Sequence, residues 1–318
     1  MANYNNGQYI QEAIESVILQ SFSDWELLIM DDGSTDDSVS RIVEYLPDNR
    51  ISLIRNSDNR GKVLSLLDLV TNSKAAIFGV LDSDDVLNKE ALSIIYEQHI
   101  KHDDCGFIYS QFLFCDNNLD PICEGFCRLM PNGETNLRSI YSSAFRTFKK
   151  SSYNKTGGYD PKFIYGQDRD IVFKMEEVTG LFFIDKILYK HRVLSNSISN
   201  DPNKKLLSRI LLIKAKYDAF RRRSNTQIPN LTKTEMSVEL CIASVIFFYL
   251  KRRRDAIKYF KLAITLNRTL FFSVINYLFS KVISRINRLI FLRDNELSSI
   301  YSKINIEINR QLDEISFE

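Results

Sequence analysis

AAIFGVLDSDD, at positions 75–85, joins an apolar run to three aspartates. The run is rich in small and β-favouring residues, so we predict a buried strand whose carboxyl end emerges at a surface or cleft. Because side chains two apart on an extended segment point the same way, Asp82 and Asp84 should face one side together. Two carboxylates about 4 Å apart repel each other by roughly 4 kcal/mol at an effective dielectric of ~20, and a divalent cation would remove that repulsion. The alternative is a solvated acidic turn that begins the next helix, predicted over residues 88–99.

The composition is that of a globular protein without a strong overall charge. The chain has 318 residues, enough for one large domain or two ordinary ones. Forty-two Lys and Arg against 40 Asp and Glu leave a net charge of +2, so no nucleic acid partner is predicted. Acidic clusters precede residue 200 and basic runs lie at 221–223 and 251–254, which suggests two functions in two regions. An odd number of cysteines without a secretory signal indicates a reducing compartment, and we predict a cytoplasmic protein.

Strand, polar turn and helix follow one another three times in the first part of the chain. The predicted strands are residues 25–30, 51–54 and 75–81, and the predicted helices are residues 9–20, 38–45 and 62–70. This alternation predicts an α/β fold with a mostly parallel, Rossmann-like sheet flanked by helices. Ligands of such sheets bind outside the carboxyl ends of the strands. The Asp31-Asp32 turn and the Asp82 to Asp85 turn should therefore converge on one cleft.

Several short motifs, in this order and spacing, resemble glycosyltransferase family 2, whose members have the GT-A fold and are inverting enzymes that use nucleotide-activated sugars. The resemblance covers about the first two hundred residues. Its motifs are Tyr4-Asn5, QSFSDWE at 20–26, DDGSTD at 31–36, NRGK at 59–62, LDSDD at 81–85, GGYD at 157–160 and GQDRD at 166–170.

The resemblance implies a nucleotide-binding role for four residues near the first two predicted strand ends. Asp31 and Asp32 would hold the nucleobase and ribose, and Tyr4 would flank the base. Lys62 would meet the diphosphate or a ribose-side group, although a solvated surface lysine is the alternative. The alternative for residues 31–37 is a helix N-cap, but capping alone does not explain four aspartates in seven positions.

The resemblance also implies a metal site and a general base. Asp82, Ser83 and Asp84 would bind the donor, and Asp82 and Asp84 would hold Mn²⁺ or Mg²⁺, which bridges the diphosphate and neutralises the leaving group. Asp168 matches the general base that takes the proton from the acceptor hydroxyl. The alternative for Asp168 is a residue placed at a helix start by the helix dipole. Gln167 replaces the usual Glu, which should keep the pKa of Asp168 lower.

The segment 188–197 resembles the one that closes the donor site in this family. Arg192 is the diphosphate candidate there. Many relatives carry a histidine two residues after the arginine, where this chain has Leu194, so His191 is a metal or phosphate ligand only if the backbone shifts. The family also begins with a central strand, for which residues 1–3 leave little room, and we expect a truncated first strand that exposes backbone groups on its neighbours.

From about residue 201 the chain changes character. Helices are predicted over residues 206–223, 235–250, 256–266 and 271–290, which gives a GT-A domain at 1–205 and a helical C-terminal region at 206–318. Basic and apolar helices such as 278–293 could lie on an anionic membrane face, and a helical bundle with a solvated basic face is the alternative. A peripheral position on the inner face of the plasma membrane would suit a lipid-linked acceptor.

These features together predict a metal-dependent inverting glycosyltransferase. It would move a hexose or hexosamine from a nucleotide diphosphate sugar, UDP above all, to a saccharide or lipid-linked acceptor in bacterial cell-surface polysaccharide or lipopolysaccharide synthesis. One alternative is a nucleotidyltransferase, but residues 5–7 do not supply the glycine-rich phosphate loop that it needs. Another is a nucleotide-sugar-binding relic, indicated by Gln167, Leu194 and the short first strand.

Overall fold

A computed structural model of the protein describes residues 1–194 and 202–267. The chain divides into two compact units, Met1–Ser195 and Asn196–Glu318, and each is described by itself. The predicted domain boundary at residues 205 and 206 falls inside a helix, Pro202–Arg222.

The first unit begins with a three-stranded parallel sheet. Its strands are β1 (Ala2–Asn3), β2 (Leu27–Asp31) and β3 (Ile51–Arg55), in the order β1-β2-β3. The helices that follow them are α1 (Gly7–Ile18), α2 (Ser38–Val43) and α3 (Lys62–Asn72). Apolar residues recur on one face of α1 and are buried, as their 3.6-residue period predicts. The predicted alternation of strand, turn and helix is therefore observed here.

The second sheet of the first unit is mixed rather than parallel. Its strands are β4 (Ile77–Gly79), β5 (Val86–Leu87), β6 (Cys105–Cys115), β7 (Pro121–Glu124), β8 (Arg146–Lys149) and β9 (Gly180–Arg192), with α4 (Ala91–Lys101), α5 (Lys150–Lys155) and α6 (Gln167–Glu176) between them. The order is β4-β8-β6-β9-β5, and β7 pairs with β6. Only the pairing of β6 with β9 is parallel; the other four are antiparallel. The ring of Phe148 joins these strands in the core, because its centroid lies 5.0 Å from that of Phe78 and 5.1 Å from that of Phe107.

The strand that precedes the three aspartates is less buried than predicted. Residues of β4 are half-buried or exposed, because they line an apolar groove of about 560 Å³ that residues 24–28 line from the other side. The first strand has only two residues, and the amino group of Met1 donates to the carbonyl of Leu28 at 2.7 Å. Burial lowers the pKa of this amino group to about 5. The strand β2, which pairs with β1, is buried at four of its five residues.

The described part of the second unit contains three helices, α7 (Pro202–Arg222), α8 (Lys233–Tyr249) and α9 (Arg253–Leu266). They correspond to three of the predicted helices, whereas the predicted helices at 271–290 and 278–293 lie outside the described residues. A capping box of Thr232 and Glu235 begins α8. The rings of Phe247 and Tyr259 stack 4.9 Å apart between α8 and α9. None of the helices in residues 1–194 and 202–267 has the length and apolar character needed to cross a bilayer.

Candidate functional site

Three carboxylates meet just beyond the carboxyl end of β4. The oxygens of Asp82, Asp84 and Asp85 lie within 4.8 Å of one another, in an arrangement that could hold a metal ion. Burial, followed by the charges of Asp85 and Asp82, raises the pKa of Asp84 to about 6. Within the described part of the chain, no other residue donates a hydrogen bond to the Asp84 carboxylate. A set of hard carboxylate oxygen donors fits Mg²⁺ or Mn²⁺.

Lys62, at the first position of α3, reaches the acidic turn. Its Nζ atom lies 2.7 Å from Oδ1 of Asp82. Although burial alone would raise the pKa of Asp82, the charge of Lys62 and, more weakly, that of Arg146 hold it below the ordinary value. Burial likewise opposes the charged form of Lys62, but Asp82 outweighs burial and the pKa of Lys62 is raised. Two predicted site residues from different motifs are therefore in direct contact.

Asp85 is buried and connects the acidic turn to β9. Its carboxylate accepts hydrogen bonds from the Tyr189 hydroxyl at 2.7 Å and from the Arg192 backbone N–H at 2.7 Å. Nδ1 of His191 lies 3.1 Å from the same carboxylate. The Tyr189 hydroxyl in turn accepts from the Asp82 backbone N–H at 3.2 Å. These bonds attach the turn to β9 and fix the direction of its side chains.

His191 is oriented by Asp85 in a way that suits a metal ligand. Burial lowers the pKa of His191, but the hydrogen bond and charge of Asp85 outweigh it, so the pKa is raised. With Nδ1 directed at a carboxylate, Nε2 is the nitrogen that remains for another ligand, as in carboxylate–histidine–metal arrangements. The histidine thus lies beside the acidic turn in spite of its shifted position in the sequence.

The side chain of Arg192 is buried next to the acidic turn and does not face an open cleft. Only 1% of its side chain is exposed. Nε donates to the carbonyl of Asp84 at 2.8 Å, Nη1 to the carbonyl of Asn117, and Nη2 to Glu12 of α1 at 3.1 Å. The guanidinium also lies over the Tyr9 ring at 4.5 Å. Because every guanidinium nitrogen already has a protein acceptor, the geometry favours a positioning role over the predicted contact with a diphosphate.

Asp31, the last residue of β2, and Asp32, which follows it, organise the neighbouring loops. Asp31 accepts from the side chain of Asn3 at 2.9 Å and from the N–H of Ser34 at 3.1 Å. Both carboxylates are almost completely buried. The oxygens of Asp32 accept from three donors of the segment after β3, namely the side chain of Asn56 and the backbone N–H groups of Arg60 and Gly61, at 2.7–3.0 Å. Asp32 therefore shapes the turn that carries Lys62, and Asp31 shapes the turn after β2.

The N-terminal turn joins the two acidic clusters. Nδ2 of Asn6 donates to Oγ of Ser83 at 2.8 Å, and Oδ1 of Asn5 accepts from the backbone N–H of Thr35 at 2.8 Å. Tyr4 is exposed between these contacts. The turns after β2 and β4 are thus linked through residues 3–7, in agreement with the expected single cleft.

Asp168 lies in the first turn of α6 and is paired with two arginines. Oδ2 of Asp168 lies 3.0 Å from Nη1 of Arg146 and 3.8 Å from Nε of Arg169. Burial would raise the pKa of Asp168, but these two guanidinium groups lower it to about 2. The pKa is low, in the expected direction, but its cause is the pair of arginines. The position also agrees with the helix-dipole alternative.

Arg146, on β8, is the site residue that the sequence did not reveal. Its charge lowers the pKa of both Asp168 and Asp82, and both carboxylates raise the pKa of Arg146 against the effect of burial. It therefore lies within electrostatic range of both predicted parts of the site. No motif surrounds it, and the antiparallel pairing of β8 with β4 is what brings it there.

Comparisons with known proteins concern the family and the fold of the chain. The family description "Glycosyl transferase family 2" matches residues 1–157. The chondroitin synthase of Escherichia coli is 28% identical over 191 residues, which cover 60% of this chain and 28% of that protein. The chain thus spans about a quarter of the length of this curated relative.

Two solved structures share the fold. One is S. aureus TarS 1-349 in complex with UDP-GlcNAc, with a TM-score of 0.60 and 17% identity over 83% of this chain and 79% of that chain. The other is a mannosyltransferase from Pyrobaculum calidifontis in complex with GDP-Man and Mn²⁺, with a TM-score of 0.54 and 12% identity over 98% of this chain and 84% of that chain. At these identities the likeness concerns the fold alone.

Proposed function

The chain belongs to glycosyl transferase family 2 through its first unit, which has the GT-A fold, and on this premise we propose that it is an inverting sugar transferase. It moves a hexose or hexosamine from a UDP-sugar to a saccharide or lipid-linked acceptor in cell-surface polysaccharide or lipopolysaccharide synthesis. The observation that carries the proposal is the cluster of Asp82, Asp84 and Asp85 with the cations Lys62 and Arg146 beside it. The UDP-GlcNAc complex of the TarS structure supports the choice of UDP.

The metal site is formed by Asp84 and Asp82, with Nε2 of His191 as a further ligand. Mn²⁺ or Mg²⁺ bound there supplies charge neutralisation for the diphosphate leaving group. Asp85 takes no part as a ligand, because its carboxylate already accepts from Tyr189 and Arg192. The Mn²⁺ complex of the mannosyltransferase with the same fold supports this assignment.

The nucleotide lies between the turns after β2 and β4. Tyr4 flanks the base, Asp31 and Asp32 shape the pocket for base and ribose, and Lys62 donates to the diphosphate side. Ser83, which accepts from Asn6, lines the ribose end. Arg192 contributes by holding the backbone of Asp84.

Asp168 is the general base of the transfer. The acceptor oxygen attacks the anomeric carbon from the face opposite the nucleotide, its proton passes to a carboxylate oxygen of Asp168, and the bond to the diphosphate breaks. A carboxylate with a pKa of about 2 is a weak base for a free alcohol. Transfer of the proton therefore has to accompany the attack, because the hydroxyl becomes acidic only as its bond to the anomeric carbon forms.

The location and partners follow from the same assignment. Donor and acceptor are small molecules or saccharides, nucleic acid is not a partner, and the protein works in the cytoplasm, on the inner face of the plasma membrane. The basic second unit supports a peripheral contact with that membrane, which suits a lipid-linked acceptor.

Calorimetric titration of UDP with and without Mn²⁺ tests the donor site. We expect metal-dependent binding that is lost in Asp84→Ala and kept in Asp103→Ala, a matched control whose side chain is 92% exposed. UDP binding without any dependence on metal would remove the metal site from the proposal. Absence of UDP binding in both the natural chain and the control would redirect the search to another nucleotide.

A nucleotide-sugar-binding relic is the second candidate, and one observation favours it. The carboxylate of Asp168 is held by Arg146 and Arg169, which weakens it as a base. Release of free sugar from a UDP-sugar, measured in the absence of any acceptor, separates the two: an enzyme hydrolyses the donor slowly in the presence of metal, and a relic only binds it.

A further inference from the structure

The described part of the second unit is strongly basic. Residues 202–267 contain 15 Lys and Arg against four Asp and Glu, although the whole chain is nearly neutral. The excess of positive charge is therefore concentrated here and not spread over the protein. Such a concentration raises the local density of anions near the surface.

All four acidic residues of this part already have internal partners. Asp218 pairs with Lys214 at 2.8 Å, and Asp255 pairs with Arg252 at 2.6 Å. Glu239 pairs with both Arg209 and Lys216 at 2.5–2.6 Å, and Glu235 closes the capping box of α8. None of them is therefore available to neutralise the remaining cations on the surface.

Four of the basic side chains line a groove between α7 and α9. The groove has a volume of about 520 Å³, and its lining includes Tyr217 and Arg221 of α7 and Arg254, Lys258 and Lys261 of α9. Arg254, Lys258 and Lys261 are exposed, and within residues 1–194 and 202–267 their side chains make no ion pair or hydrogen bond. Their spacing places them along one side of α9 over about 10 Å.

The side of α9 that carries these three cations also has a solvent-exposed apolar side chain. Ile257 lies between Arg254 and Lys258 on α9, lines the groove and is 55% exposed. A soluble polyanion would compensate the cations but would leave Ile257 in contact with water. An anionic bilayer compensates the cations with phosphates and takes the apolar side chain into its interfacial region.

We propose that the α7–α9 groove is a docking surface for anionic phospholipid, with Arg254, Lys258 and Lys261 on the headgroup phosphates and Ile257 in the interface. The inference rests on the peripheral membrane contact of the proposed function and assigns it to particular residues. It is independent of the donor site, because none of these residues belongs to the first unit.

Co-sedimentation of the full chain with lipid vesicles tests this surface. We expect binding to vesicles that contain phosphatidylglycerol and little binding to vesicles of phosphatidylcholine alone. Added salt should weaken the binding, because the Debye length falls from about 10 Å at 0.1 M to 3 Å at 1 M salt. The double variant Lys258→Gln/Lys261→Gln should lower the partition coefficient by about 25-fold, at about fivefold for each lysine near the membrane surface.

The double variant Lys205→Gln/Lys233→Gln is the matched control. It also removes two exposed lysines from the second unit, but from outside the groove, and it should change vesicle binding by less than about threefold, since both positions lie beyond the surface that meets the headgroups. Equal losses in the two double variants would overturn the assignment to the groove. Ile257→Asn should weaken vesicle binding and leave the binding of soluble polyphosphate unchanged.

Two other results would overturn the proposal. One is equal binding to vesicles with and without phosphatidylglycerol, and the other is binding of polyphosphate without any binding to vesicles, which would assign the groove to a soluble polyanion. Circular dichroism of each variant confirms its fold. UDP titration of the same variants keeps the outcomes separate, because vesicle binding and donor binding can each fail alone.

Discussion

Nη1 of Arg146 lies 3.0 Å from the carboxylate of Asp168. The positive charge of Arg146 therefore keeps the proposed base ionised. In Arg146→Met we expect the acid limb of the pH profile of kcat/KM to move to higher pH. Asp168 must be ionised to accept a proton, and loss of the cation raises its pKa from about 2 toward or above the ordinary value. Arg41→Met, which removes a surface pair with Asp37, is the control. An unchanged acid limb would show that another group accepts the proton.

Replacement of the proposed base should separate chemistry from binding. Asp168→Asn keeps the shape of the side chain but cannot accept the proton, so we expect sugar transfer to fall by about 10²- to 10⁴-fold. Binding of UDP, measured by calorimetry, should stay within about twofold, because Asp168 makes no contact with the acidic turn. Equal losses in transfer and in UDP affinity would assign Asp168 to the donor site instead.

Replacement of Asp84 should stabilise the metal-free protein and should also abolish metal binding. Its pKa is raised to about 6, so the folded state favours the neutral form, and the stabilisation present below the unfolded pKa of 3.8 is lost as the pH rises through about 6. Asp84→Asn should therefore raise the free energy of unfolding of the metal-free protein above pH 6 by roughly 1–3 kcal/mol. Denaturant unfolding in the presence of a chelator measures this, and a decrease would contradict the raised pKa.

The histidine beside the acidic turn should affect metal affinity more than nucleotide specificity. His191→Gln removes the proposed Nε2 ligand, and we expect the affinity for Mn²⁺ to fall about 10- to 100-fold. His102→Gln is the control, because the ring of His102 stacks on Phe182 with centroids 3.8 Å apart and takes no part in the acidic turn. Calorimetric titration of Mn²⁺ in the presence of UDP gives the Mn²⁺ affinity of each variant. Unchanged Mn²⁺ affinity in His191→Gln would leave the two aspartates as the protein ligands.

The buried carboxyl group of Asp32 should be needed for the loop that follows β3. Three donors converge on it, and a charge-assisted hydrogen bond contributes about 1.5–3 kcal/mol. Asp32→Ala should therefore lower both the melting temperature and the affinity for UDP. Asp58→Ala, at an exposed position of the loop after β3, should change neither. Normal UDP affinity in Asp32→Ala would exclude Asp32 from the nucleotide pocket.

The sequence was informative where local patterns determine structure. Apolar periodicity located α1, α3 and the three helices of the second unit to within a few residues, and the turns after β2 and β4 lie where the alternation of strand and helix puts them. The fold-class prediction and the family resemblance are confirmed. The low pKa of Asp168 was also predicted in direction.

Long-range pairing could not be read in the same way. The antiparallel position of β8, which carries Arg146 to the site, depends on contacts with β4 and β6 that are distant in sequence. Tyr189 and Asp85 meet for the same reason, since 104 positions separate them. Arg192 was predicted as a ligand because of its motif, but its role depends on three acceptors that only the folded chain brings together. The partial exposure of β4 likewise reflects a groove that no local pattern encodes.

The bonds of Arg192 have a consequence for the motions of the protein. One guanidinium connects Glu12 of the first helix, the backbone carbonyl of the proposed metal ligand Asp84 and the carbonyl of Asn117 at the β6–β7 turn. These three segments should consequently open and close as one cooperative unit. Amide hydrogen exchange would then slow at the β6–β7 hairpin when Mn²⁺ and UDP bind on the opposite side of the arginine.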